Sequence, residues 1–335
     1  MKQKKRSLLI IFLALIICLS GCTKYLTDED KKRVTNESTG QAITSNILCL
    51  PESDELTNIY EKHKDTLDVD YDSLNVCSEF LPSDISYNGL WETIFIKPLA
   101  WIIIKVGLLV GNYGIAVMIL GLLIRIILIP LTKKSLMQSE KMKKAQTELN
   151  AIQKKYEKMD KTGQDARMQM SQETMMVYQK YGINPLSGCL TSFIQIPLLL
   201  AFLEAINRVP AIFEEELLTL QLGTSPLVGI KDGNMTYLLV LVLIVLSTYY
   251  SYKKTMNMSV GNASQNAQTS VMMKFMVVFI AIASLSLPTA LSLYWITTNL
   301  FMIVQNKIVA DASSDEKDYK SERTKNAKII NRKGN

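Results

Sequence analysis

One arginine inside an apolar run constrains this chain more than any other residue. Arg125 lies in Tyr113-Gly-Ile-Ala-Val-Met-Ile-Leu-Gly-Leu-Leu-Ile-Arg125-Ile-Ile-Leu-Ile-Pro130, a stretch otherwise apolar enough to cross a bilayer. A guanidinium near mid-membrane costs about 2.5–3.5 kcal/mol on insertion scales, and it does not shed its proton to escape. Such a residue faces protein or a watery cavity and marks a functional site by default. A structural ion pair or a snorkelling anchor is the plainer alternative. Snorkelling is awkward, because several apolar residues separate Arg125 from Lys133 and Lys134.

The apolar residues, 48% of 335, cluster in long blocks, the distribution of an all-α polytopic membrane protein. Five spans are predicted at about 113–131, 186–205, 235–252, 271–287 and 288–308. Pro197 marks a kink in the second, and a tight turn at Pro288 divides the last two. Between the first two spans lies a charged stretch, 132–183. Met142, Ala145, Leu149, Ile152, Tyr156 and Met159 recur there in alternating steps of three and four, an a/d seam. After Lys161-Thr162-Gly163, Met168, Met175 and Tyr178 recur at helical spacing, near Met170 and Met176. The two halves predict an antiparallel helical hairpin, ended by Gly182 and Asn184-Pro185. Its methionines either form an adaptable apolar surface for partners or pack the seam.

Ahead of the first span, 91–111 is amphipathic, with Trp91, Phe95, Leu99, Trp101 and Ile102 around Lys97 and Lys105. That predicts a helix at the exterior interface rather than a crossing one, since Lys97, Pro98 and Lys105 count against crossing. Residues 22–90 are polar and predict an exterior tether of limited order. Glu204 and Arg208, at the outer end of the second span, have the spacing of an i,i+4 pair near the interface that needs no special role. Val209–Asn234, with Glu214, Glu215 and Glu216, is an acidic loop, and 255–270 is a polar loop.

Lysines set the orientation. Lys133, Lys134, Lys141, Lys143, Lys144, Lys154, Lys155 and Lys158 crowd the hairpin, and Lys253 and Lys254 flank the other short loop. Both loops are then cytoplasmic, with the acidic loop outside. The basic tail 309–335 (Lys317, Lys320, Arg323, Lys325, Lys328, Arg332, Lys333) is cytoplasmic as well. It is either simply solvated or meets anionic lipid or ribosomal RNA.

Residues 1–21 read as a secretory signal: four basic residues, an apolar run Leu8–Leu19, then small residues. Leu19-Ser20-Gly21-Cys22 resembles a bacterial lipobox, which implies cleavage before Cys22 and a lipid on that residue, holding the mature N-terminus outside. Of the five cysteines, Cys49 and Cys77 fall in the exterior region, where a disulfide is chemically allowed but not fixed by sequence.

Much chemistry is excluded. His63 is the sole histidine and lies in the exterior segment, which disfavours zinc, Ser-His and Cys-His sites. No span contains Asp, no phosphate-binding G-x-x-x-x-G-K-[ST] loop occurs, and no cofactor is expected. An enzyme is not expected. The polar residues within spans are Thr191, Ser192 and Gln195, then Ser247 and Thr248, then Thr289, Ser292, Thr297, Thr298 and Asn299. Lipid offers them no partners. They bond helix to helix, or with Arg125 they line a hydrophilic groove.

Three stretches resemble one family. Asn112-Tyr-Gly-Ile…Leu-Ile-Arg125-Ile-Ile-Leu-Ile-Pro130-Leu is similar to the first core span of the YidC/Oxa membrane protein insertases. Tyr181-Gly-Ile-Asn184-Pro185-Leu-Ser-Gly188-Cys189-Leu…Gln195-Ile-Pro197 is similar to their second, and Leu287-Pro288-Thr-Ala-Leu-Ser-Leu-Tyr294-Trp295-Ile-Thr-Thr-Asn299-Leu to their last. The lipobox, with no large exterior domain, is similar to the Gram-positive forms. The resemblance covers about residues 90–308. It implies a five-span insertase core, 112–308, around a groove open to cytoplasm and lipid, whose groove arginine is Arg125. Gln195 matches a polar groove residue, and Tyr294 and Trp295 match motif aromatics. With Thr191, Ser192, Ser292, Thr298 and Asn299 these form the candidate substrate groove, and Met168, Met175 and Met176 the candidate hairpin contact. Thr191 departs from the proline usual there, which implies a less bent start to the second span.

Expected partners are nascent membrane proteins, the ribosome, membrane lipids and the Sec translocon, but not DNA. A small-anion transporter or channel binding its cargo at Arg125 is the rival class, and a static assembly factor is a third.

Overall fold

The computed structural model describes residues 23–85, 87–157, 164–184, 187–259 and 263–308. Residues 1–22, which include the expected signal peptide and Cys22, and the tail 309–335 lie outside them. The described chain is mostly helical and divides into two compact units. One comprises residues up to Ile124 together with Ile194–Leu246 and Val278–Thr298; the other comprises Arg125–Phe193, Ser247–Val277 and the chain from Asn299.

In the first unit the polar N-terminal segment corrects the expectation of a tether. Residues 23–50 double back through bridges pairing Tyr25 with Thr44, Thr27 with Arg33 and Thr35 with Ala42, and Leu50 pairs with Val76. Leu26, Ile43, Ile47, Tyr71 and Leu74 pack with Leu56 and Tyr60 of α1 (Asp54–Lys62) into a small core. Cys49 and Cys77 are disulfide-bonded, with Cα atoms 4.8 Å apart, so the question left open by the sequence is answered. A cross-link closing so long a loop removes unfolded-state entropy that this small core does not itself offset. Asp68 adds a charged tie, accepting from Lys24 Nζ at 2.7 Å and Ser45 Oγ at 2.5 Å. Burial acts to raise the Asp68 carboxyl, but these hydrogen bonds outweigh it and hold the group below its ordinary range. A depressed folded-state value means that its stabilisation is present above the unfolded value, about 4, and lost as pH falls through the folded one. Hydrogen-exchange protection of the Ser45 amide, which donates to Lys24 O, is therefore expected to drop on acidification below pH about 4, and less steeply in Asp68→Asn.

A π-helical turn, Glu92–Ile96, leads into α2 (Lys97–Val110), and Gly111 at φ 72° ends it. Glu92–Val110 together are 19 residues long with mean hydropathy 2.0, long and apolar enough to cross a membrane. The lysines that counted against crossing are both taken up by protein: Lys97 Nζ donates to Ile85 O, and Lys105 Nζ to Ser78 O. Next comes α3 (Tyr113–Ile127), whose start is capped twice. Asn112 Oδ1 accepts from Ile115 N, and the Glu215 carboxylate accepts from Tyr113 N at 2.6 Å. Glu214 does the same for α1, accepting from the Glu52 and Ser53 amides. Two of the three loop glutamates thus sit at helix N-termini, where orphan donors and the helix dipole favour negative charge.

The second apolar helix of the hydropathy pattern is α6 (Ser187–Asn207), with Pro197 inside it. Its C-terminal part belongs to the first unit. The loop after it is ordered: α7 (Pro210–Glu214), a hairpin of β1 (Glu216–Leu217) and β2 (Leu220–Gln221), then α8 (Pro226–Lys231). Two long helices follow, α9 (Thr236–Ser259) and α10 (Ala263–Ser286), and a last helix, α11, spans 289–308. Helix therefore continues through most of 255–270, where the polar composition predicts a loop; Asn and Gln are tolerated on a helix, and here they extend it. The start of α11 is held by loop carbonyls, with Thr289 N and Oγ1 donating to Thr224 O and Ala290 N to Leu222 O. Thr236–Lys253 also passes the length and apolarity test for crossing, while Tyr113–Ile127, Pro197–Asn207 and Val277–Ser286 are shorter apolar helices.

In the second unit, α4 (Ile129–Glu157) and α5 (Gln164–Tyr181) form the hairpin. Met142, Ala145, Leu149 and Ile152 face Val177, Tyr178, Tyr181 and Ile183, so the a/d seam of the first half is observed, while Met159 lies outside the described residues. The second-half pattern is only partly right: Tyr178 joins the seam, but its buried positions are Ala166 and Val177. Met168, Met175 and Met176 are exposed. Charged ties flank the seam, Lys155 and Tyr156 to Glu173, and Lys180 and Tyr181 to Glu148.

Candidate functional site

Arg125 sits near the end of α3 and is buried, 7% exposed. The Tyr252 hydroxyl of α9 stands within its electrostatic range. Around this end of the second unit the polar side chains are also buried and bonded. Asn299 Nδ2 donates to Thr248 Oγ1 at 2.9 Å, and Gln305 Nε2 donates to Thr132 Oγ1 at 2.7 Å. Thr248, Ser251 and Tyr252 share one face of α9, and Asn299 and Asn306 are two turns apart on α11. Ser251, Gln305 and Asn306 are buried members that the sequence reading did not include. For two of them a signal was available: Ser251 is three positions from Thr248 and Asn306 seven from Asn299, both close to the helical repeat, whereas Gln305, six from Asn299, falls on another face. The reading stopped short of them because they lie near the predicted helix ends, where polar side chains are common.

The first unit contains a second group. Tyr294 stacks on Phe202, ring centroids 4.3 Å apart, and its hydroxyl accepts from Gln195 Nε2 at 3.4 Å. Thr298 Oγ1 bonds back to Tyr294 O. Trp295 and Ser292 are buried, and Ser292 Oγ has no hydrogen-bond partner among the described residues. Gly121 of α3 makes this packing possible: a Cβ there would come within 2.9 Å of Tyr294 Cδ2 and 3.3 Å of Thr298 Cγ2. Gly121→Val is expected to cost about 1–3 kcal/mol by overpacking. It should also displace the Tyr294 ring and lower activity; unfolding midpoint and tyrosine environment, read together, check it.

The structure thus brings Gln195, Tyr294 and Thr298 together in one unit, and Thr248 and Asn299 in the other, where Arg125 lies within electrostatic range of Tyr252. The side chains of Thr191 and Ser192 lie outside the described set.

A third cluster was misread in the sequence. Arg208 is fully buried and does not pair with Glu204. Its Nη1 bonds Glu92 Oε2 at 2.7 Å and its Nε donates to Asn46 O at 2.6 Å. Glu92 also lies 3.5 Å from Lys97 Nζ, and Glu204 Oε1 accepts from Trp91 Nε1. The i,i+4 spacing of Glu204 and Arg208 suggested an ordinary pair near the membrane interface with no special role. Burial instead directs each side chain to a partner more than 110 residues away, and Leu48 N and Thr44 Oγ1 reinforce that joint by donating to Arg208 O and Asn207 O. Among the described residues there is no group of His, Cys, Asp and Glu suited to hold a metal.

The family model described as 60Kd inner membrane protein matches residues 105–316. This chain belongs to that family. The matched region carries Arg125, the hairpin and all of the Tyr294 group, so the family's shared part is the part that holds both polar groups. Among relatives, the membrane protein insertase YidC of Oceanobacillus iheyensis is 35% identical over 241 residues, covering 70% of this chain and 90% of the relative. The membrane protein insertase MisCA of Bacillus subtilis is 36% identical over 220 residues, covering 65% of this chain and 78% of the relative. A crystal structure of an active YidC insertase with its first transmembrane domain resolved is similar at 22% identity and a TM-score of 0.44, over 75% of this chain and 52% of that one.

Proposed function

We propose that this family member inserts newly made membrane proteins into the bilayer and helps them fold, with Arg125 as the working charge. The observation that carries the reading is a guanidinium kept buried, 7% exposed, on an otherwise apolar helix. A charge so placed attracts an acidic or polar nascent segment more strongly than it would in water. Hydroxyl and amide groups such as Gln195, Ser292, Thr298 and Asn299 replace part of that segment's hydration as it passes. Once the segment is across, burial of the client's apolar helix in lipid supplies the driving force. No nucleotide or other cofactor enters.

In this reading five helices surround the groove, which opens to cytoplasm and lipid, and α2, though long enough to cross, stays at the exterior interface because Lys97 and Lys105 bond the exterior segment at Ile85 and Ser78. The lysine-rich hairpin and the basic tail face the cytoplasm, and a lipid on Cys22 tethers the N-terminus outside. The exposed Met168, Met175 and Met176 give the hairpin an adaptable surface for clients, the ribosome or the Sec translocon. The decisive test is complementation of cells depleted of their own insertase, read by insertion of a small single-span client. Restored insertion supports the reading. Failure by a protein shown to be folded in the membrane returns weight to a small-anion pathway.

A further inference from the structure

The two-residue turn of the β1–β2 hairpin is built from a residue that serves it badly. Leu218 adopts φ 61°, and it is 87% exposed. In such turns glycine or asparagine takes the positive-φ place at little cost, whereas a branched apolar side chain is strained there and gains nothing from water. A residue that is both strained and bare in solution points to something else that covers it.

Its position says what. Thr219, the next residue, bonds through Oγ1 to Thr236 Oγ1 and through its carbonyl to Asn234 Nδ2, fixing the turn to the head of α9. Below that head Met235, Leu238, Leu239, Val242, Leu243 and Leu246 are exposed and recur every three or four residues. They make one apolar face on a helix long and apolar enough to cross a membrane. Leu218 stands bare in the turn that Thr219 ties to the head of this helix. Tyr237 Oη, bonded to Gln221 N, holds the other strand in place, so the tip is presented by a braced hairpin and not by a loose loop.

We propose that Leu218 is a lipid anchor, its side chain seated in the acyl boundary of the leaflet nearest the head of α9. The inference rests on α9 being a membrane-crossing helix. By holding the hairpin down, it fixes the height of the loop whose Glu215 caps α3, the helix that carries Arg125.

The test uses the full chain reconstituted in phosphatidylcholine–phosphatidylglycerol vesicles containing lipids with a nitroxide at a shallow or a deep acyl position. Leu218→Trp, Met235→Trp and Leu243→Trp are each compared with the parent protein, so that the native tryptophans cancel. For Leu218→Trp and Met235→Trp the expected result is excess quenching by the shallow label with blue-shifted emission. For Leu243→Trp it is excess quenching by the deep label. Quenching in Leu243→Trp without quenching in Leu218→Trp overturns the anchor and leaves the membrane placement standing. No quenching in Leu243→Trp overturns both. Should Leu218→Trp fail to fold, an unquenched indole in Met235→Trp overturns the anchor by itself. Blue-shifted emission of Leu218→Trp that appears only when a client protein is bound, without quenching by either lipid label, also overturns it, since the patch would then be a protein contact.

Discussion

Arg125→Ala is expected to abolish client insertion at unchanged expression, while Arg125→Lys retains a substantial part of it. The argument is electrostatic. Alanine removes the charge that draws a hydrophilic segment into the membrane, together with the buried interactions of the guanidinium. Lysine restores the charge but not the planar fork of donors, so it recovers attraction without the same geometry. For one unit charge at roughly 4 Å in an environment of effective dielectric about 20, the attraction is about 4 kcal/mol, equivalent to about a thousandfold in rate. Insertion of a single-span client in depleted cells measures it. Full activity of the alanine variant would remove Arg125 from the mechanism, and equal loss in both variants would assign it a shape-dependent structural role.

A stability prediction of similar size concerns Arg208. Breaking a buried ion pair by removing one partner costs about 3–5 kcal/mol, because the other charge is left stranded. In Arg208→Leu, Glu92 keeps only the more distant Lys97, and Asn46 O loses a donor. The expected loss lies in that range, and it should appear first as protease sensitivity of residues 23–85. Arg208→Lys keeps a charge near Glu92 but cannot reach both partners, so a smaller loss is expected. Thermal unfolding in detergent distinguishes the variants. An unchanged midpoint for the leucine variant would mean that the buried pair is not what joins the N-terminal segment to the helices.

These two arginines show what could be read from the sequence and what could not. The burial of Arg125 was legible because its neighbours are uniformly apolar, and a charge there has few physical options. The hairpin seam was legible for the same kind of reason, since Met142, Ala145, Leu149 and Ile152 repeat with the period of two helices in contact. Its second half was less so, because Met168 and Met175 keep helical spacing on the outer face, and periodicity identifies a face without saying which way it turns. Arg208 was illegible: its local partner was Glu204, and its real one lies 116 positions earlier. The N-terminal segment failed similarly. Its polar composition is that of a tether, but its order comes from a disulfide, backbone bridges and contacts to residues 207–214, none of which leaves a local pattern.

The pairing of Glu92 with Arg208 also has a cost in time. The arginine emerges from the ribosome 116 residues after the glutamate. At roughly 5–20 residues per second, the interval is on the order of ten seconds. The caps supplied by Glu214 and Glu215 come 161 and 102 residues after the amides they accept from, at the starts of α1 and α3. Throughout that interval the growing chain holds a buried-type acid without its strongest partner and helix starts without their carboxylates. A half-made copy of this protein thus lacks, for that long, the joint that ties residues 23–85 to the later helices.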